Sequence, residues 1–156
     1  MKKLQMRGGI ASPNLLNICV DDSVQGEISG RVYHCYAEEP WEFCNVVQLI
    51  RYMEGFYDRI HFPEAAFLLR SFDAVRQQRR EEFPEKIADR DYVMKQRGRC
   101  ATFCVYVQYR QNATWQGVMC WVEKDKDVEF RSVLELIVLI DNALSMKRTA
   151  EEKNIE

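Results

Sequence analysis

The chain has 156 residues and a formal net charge of −2, with 47% hydrophobic and 29% charged residues. That length suits one domain, and that composition excludes a disordered chain. The near-zero charge excludes a global field that would draw in nucleic acid or an acidic membrane surface.

The N-terminus, "MKKLQMRGG", has basic residues but no apolar run behind them, so the reading is neither exported nor membrane-anchored. The longest apolar run, Ile137 to Ile140, is far too short to span a bilayer. A cytoplasmic protein is expected. A first unit occupies 13–62. "LLNICV" (15–20) reads as a strand, Asp22 to Gly26 as a hairpin turn, and "RVYHCY" (31–36) as the returning strand. The amphipathic "NVVQLIRYMEGFY" (45–57) follows, with Asn45 as N-cap and Gln48 three residues on.

Residues 63–99 read as a charged, bridging helical linker. Pro63 suits a first helical position, Pro84 can start a second short helix and Gly98 can end it. Charge shifts here: 11–69 carry 3 basic and 9 acidic groups, 70–100 carry 9 basic and 6 acidic.

A second unit occupies 100–145. In "TFCVYVQY" (102–109), Phe103, Val105, Val107 and Tyr109 alternate with Cys104, Tyr106 and Gln108, the period of a strand. A turn is expected near Asn112-Ala113. On the return, Trp115, Met119 and Trp121 share one face, and Val118, Cys120 and Val122 the other. "EKDKD" (123–127) reads as a charged turn and "VEF" (128–130) as a short third strand. Ser132 with Glu135 forms a capping box that opens a helix. That helix is apolar nearly all round, which predicts burial on more than one side. Residues 146–156 read as a polar tail.

Laying residue n over n+87 aligns the two units without a gap from about 15 to 57. Gly30 falls on Gly117, Glu42 on Glu129, Phe43 on Phe130, Val46 on Val133, Leu49 on Leu136 and Ile50 on Ile137. Matching apolar positions over such a run suggest duplication. The expected fold is α+β: an internally duplicated β-β-(β)-α unit forming antiparallel sheet packed by two helices. Antiparallel hairpins leave one sheet face free to meet solvent. The over-apolar helices predict a homodimer.

"RQNATWQG", "WVE" and "FRSVLELIVLID", with "LIRYMEGFYDRIHFPEA" in the first half, resemble a group of small uncharacterised bacterial proteins. The resemblance covers most of the chain outside Ala74 to Arg99. It implies that the hairpin and the capped helix are the group's defining parts, and it carries no catalytic residue across.

In the hairpin, Trp115 with Trp121 offers a stacking surface, and Arg110 and Asn112 offer hydrogen-bonding arms, for a small ligand. An architectural role explains more of these residues: Asn tolerates the left-handed turn, Gly117 marks a bulge or close approach, and Trp115 closes the core. Lys95, Arg97 and Arg99 form the one purely basic piece of the middle stretch. Interleaved acids make a solvated, salt-linked segment a simpler reading than a nucleic-acid grip. The six cysteines include no C-x-x-C, which argues for buried thiols rather than metal. His34 and His61 are the candidate bases, and Cys44 with His61, or Cys35 with a neighbour, the thiol-enzyme readings. No catalytic motif and no cofactor signature is present in the sequence. The leading expectation is a non-catalytic interaction or regulatory module; its protein partner is not identifiable from the sequence.

Overall fold

The computed structural model describes residues 12–65, 69–72 and 84–155. β1 (Leu16–Val24), β2 (Glu27–Tyr33) and β3 (Trp41–Phe43) lead into α1 (Val46–Ile60). After the short α2 (Arg90–Lys95) come β4 (Ala101–Tyr109), β5 (Gln116–Trp121), β6 (Lys126–Phe130) and α3 (Val133–Ile155). The strands make one antiparallel sheet in the order β3-β2-β1-β4-β5-β6. The fold is therefore α+β, with three helices among the described residues.

Strand alternation decides the two faces. Leu16, Ile18 and Val20 of β1, with Phe103, Val105 and Val107 of β4, face the main core. Leu49, Met53 and Phe56 of α1 and Leu136 and Ile140 of α3 close that core from above. The opposite parity carries Asn17, Cys19, Thr102 and Cys104, all buried. Solvent does not meet the centre of this second face, because the segment around α2 packs on it. Val93 sits against Cys19 and Tyr33, and Met94 against the cluster of Cys104 and Cys120. The buried Asn17 amide donates to the carbonyls of Val93 (2.7 Å) and Gln96 (3.0 Å), so the cover is bonded to the sheet.

The hydrogen-bond registers of the two halves coincide at an offset of 87. Val20 pairs with Gly30 and Val107 with Gly117; Arg31 pairs with Glu42 and Val118 with Glu129. Even the bulges agree, between Val20 and Asp22 and between Val107 and Tyr109. Both paired glycines are required by close approach. A Cβ at Gly30 would lie 1.9 Å from the Cys19 carbonyl oxygen, and one at Gly117 2.1 Å from that of Tyr106.

Several boundaries differ from the sequence reading. β1 runs on to Val24, and the turn narrows to Gln25 and Gly26, both at positive φ, as a two-residue hairpin demands. The expected charged turn 123–127 is a single helical turn at Val122–Lys124 followed by left-handed Asp125, and β6 already begins at Lys126. Pro63 opens no helix: α1 ends at His61, whose left-handed backbone directs its N–H back to the last carbonyls, and Pro63 lies in the bend beyond. The helix expected from Pro84 begins only at Arg90, after the Asp89 N-cap, since 84–87 are irregular. The rest of the charged stretch, 73–83, lies outside the described residues. The expected polar tail continues α3 to Ile155.

Candidate functional site

Two of the hairpin residues expected to bind a ligand, Arg110 and Trp115, are tied to the helices. Arg110 is buried, and its Nε donates to the Pro63 carbonyl at 2.6 Å. Its Nη1 meets Glu54 at 3.1 Å and Asp58 at 2.7 Å, one helical turn apart on α1, while the guanidinium lies over the Tyr57 ring. Trp115 packs edge-on against Tyr57 and its indole N–H donates to Glu54 at 2.5 Å. Thr114 Oγ accepts from the Val133 N–H at the start of α3. Asn112, with Ala113, takes the left-handed turn and stays exposed. The hairpin is thus a bracket holding the start of α3 and the middle of α1. The polar groups of Arg110 and Trp115 are bonded to the protein itself.

The basic piece is bonded in the same inward manner. Arg97 Nη1 donates to the Met94 and Gln96 carbonyls. The Arg97 carbonyl accepts from Arg31, the Arg99 N–H donates to Asp21, and the Gly98 N–H donates to Thr102. Lys95 is the exposed last residue of α2. The structure brings Lys95, Arg97 and Arg99 together as one side of the cover over the second sheet face. Arg76, Arg79 and Arg80 lie outside the described residues.

The thiols and histidines do not converge on a reaction centre. Cys44 precedes the N-cap of α1 and His61 is its C-cap, so a helix of 15 residues, about 22 Å long, separates them. Burial pushes the Cys19 thiol up to about 11 and Cys104 to about 12, and raises Cys35 and Cys120 as well. Activation of a nucleophile needs a shift in the opposite direction. His34 is buried among Tyr36, Tyr52 and Phe56, with its Nδ1 accepting from the Tyr36 N–H. Burial lowers it to about 4, with a further push from Arg59.

Arg110 and Trp115 border a cleft of about 200 Å³ with Glu54, Leu69 and Val133. Trp121 lies at a different one, a cleft of about 150 Å³ between α3 and the outer strands β5 and β6. Val128, Leu139 and Ala143 give this cleft apolar walls; Lys126, Asn142 and Met146 complete it. Sequence reasoning missed these residues. The signal lies in the offset alignment, where Trp41, Tyr52 and Phe56 become Val128, Leu139 and Ala143, three large rings replaced by smaller side chains.

The outer side of α3 is an exposed apolar surface. Leu134 is 70% exposed, Val138 55% and Met146 49%. At the same offset α1 presents Val47, Arg51 and Arg59. Among the described residues no helix is long and apolar enough to cross a membrane. Compared with protein-family models, with curated proteins and with solved structures, the chain matches none.

Proposed function

We propose that the protein is a non-catalytic cytoplasmic interaction module, built by internal duplication, that self-associates through the outer side of α3. What supports the duplication is the common register at an offset of 87, with the Asn17–Cys104 pair at its centre, since each of these residues is the offset image of the other. Under a two-fold relation, Leu16–Val105 maps onto Ile18–Phe103, and both pairs occur.

The single observation that carries self-association is the exposed apolar ridge of α3. It lies on a helix whose last two turns, 148–155, are exposed on every side. A helical overhang of this length has little stability alone, because helix in water is marginal without packing. A second copy laid antiparallel supplies the packing: each overhang runs beside the Leu134–Val138 end of the other. Asp141 in the first half of α3 then lies beside the turn carrying Arg148. A twofold contact of this kind uses one surface twice, so no separate partner patch is required.

The test is solution mass by light scattering over a concentration series, for the native chain and for Val138→Arg, the residue that α1 has at Arg51. Dimer mass in the native chain and monomer mass in the variant are expected. A native chain that stays monomeric throughout overturns the reading.

A further inference from the structure

We propose that the cleft beside Trp121 is a binding site for a small molecule that carries one aromatic ring and an anionic group.

The first half of the same protein is an internal control for what this space holds. There, Trp41 stacks on Tyr52 with centroids 4.2 Å apart and planes 10° apart. Phe56 lies against both Tyr52 and His34, the latter at 4.7 Å. These rings fill the space between the outer strands and α1. The strands and helix of the second half keep the same register, but Val128, Leu139 and Ala143 stand in place of Trp41, Tyr52 and Phe56. A cleft of about 150 Å³ is left there. An apolar cavity of roughly this volume accepts one benzene-sized ring. A ring from outside thus replaces the rings that the first half supplies from its own chain.

The polar groups define the rest of the ligand. Lys126 is exposed and lines the cleft at the start of β6; Asn142, opposite on α3, brings an amide. Trp121 is 9% exposed, and its indole N–H has no acceptor among the described residues. Its ring is flanked by Lys124, whose Nζ is 5.9 Å from the centroid. The cation at the opening favours a ligand that brings negative charge, such as an aromatic carboxylate. Among the described residues no carboxylate side chain lines the cleft to oppose it.

The experiment is amide and indole NMR on the full chain, titrated with phenylacetate, with toluene as the uncharged ring and acetate as the ringless anion. Phenylacetate is expected to give saturable shifts at Trp121, Leu139 and Ala143, and acetate none. Ala143→Phe, which restores the ring of the first half, is expected to weaken phenylacetate roughly tenfold or more by occupying the space. Val128→Trp does the same from an exposed strand position, so the test survives if Ala143→Phe fails to fold. Lys126→Gln is expected to weaken phenylacetate roughly two- to fivefold and to leave toluene unchanged, as befits an ion pair at a surface. Absence of saturable shifts overturns the proposal, as do shifts that persist in both filled variants. Shifts at the same residues on diluting the protein alone also overturn it, since they assign the cleft to a side chain of a second copy. Val138→Arg is expected to bind phenylacetate as the native chain does, which separates this site from the self-association surface.

Discussion

The two halves share a hydrogen-bond ladder and differ in what they place above it. The first half packs Trp41, Tyr52, Phe56 and His34 into a ring cluster under α1 and turns Arg51 and Arg59 outward on that helix. The second half leaves a cleft under α3 and turns Leu134, Val138 and Met146 outward. A backbone register is thus compatible with two opposite surfaces, because register depends on small residues and strand parity, whereas surface depends on side-chain volume and charge. The half that is self-sufficient teaches what the other half lacks.

The strongest way to break this comparison is at the paired glycines. Gly30→Ala and Gly117→Ala each drive a Cβ into a backbone carbonyl of the neighbouring strand, an atom that no side-chain rotation can move aside. Each is expected to cost roughly 3–4 kcal/mol, at the upper end of overpacking effects. Urea unfolding of both variants checks it. Similar losses sharpen the correspondence; a tolerated alanine in one half means the two ladders are not equivalent there.

Next in size is Arg110→Ala. It removes the bracket to α1 and leaves Glu54 without its cation. Glu54 is one-fifth exposed and Asp58 more than half exposed, so the penalty falls below that of a fully buried pair, to about 2–3 kcal/mol. The offset equivalent is Ser23, whose hydroxyl is buried with no partner among the described residues. Ser23→Ala is expected to stay within about 0.5 kcal/mol. Thermal unfolding of the two variants measures the asymmetry directly.

The ring cluster also gives the first half an acid-sensitive group at a position where the second half has none. His34 is held at about 4 in the folded protein, below its ordinary value of 6.5. Between those values the unfolded chain binds a proton that the folded chain refuses, so stability falls as the pH falls through this window. The loss attributable to His34 is about 2 kcal/mol between about pH 7 and pH 4.5. Trp121 occupies the equivalent position and does not titrate. His34→Phe is therefore expected to flatten the denaturation midpoint over that range, and an unchanged slope removes His34 from the account.

Much of this architecture was legible in the sequence because it is local. The alternation of Phe103, Val105 and Val107, the capped helix starts and the two glycines all report on neighbours a few residues away or on a common backbone constraint. The bracket was not legible, because Arg110 meets Glu54 and Asp58 across more than fifty residues and nothing in a turn motif indicates which distant carboxylates it will find. The cover over the second sheet face was hidden for a different reason. Its helix offers only Tyr92, Val93 and Met94 as packing residues amid charge, and its attachment depends on an asparagine inside an apolar strand. The cleft is a difference in volume, visible only when one half is read against the other.

The finest comparison concerns the helix starts. Asn45 Oδ1 accepts from the Gln48 N–H at 2.9 Å, and Ser132 Oγ accepts from the Glu135 N–H at 3.1 Å. In both halves the reciprocal bond comes from one residue before the cap: the Cys44 N–H donates to Gln48 and the Arg131 N–H to Glu135. The same departure from the usual capping box, made twice, is a backbone property rather than a side-chain accident. Asn45→Ala and Ser132→Ala are each expected to cost about 1 kcal/mol. The second cap adds an exposed ion pair between Arg131 and Glu135, which salt screens. Measuring both variants in low and high salt separates the contributions. Equal losses that ignore salt mean the cap bond alone sets each helix start, and a Ser132→Ala loss that changes with salt while Asn45→Ala does not means the charges at α3 take part.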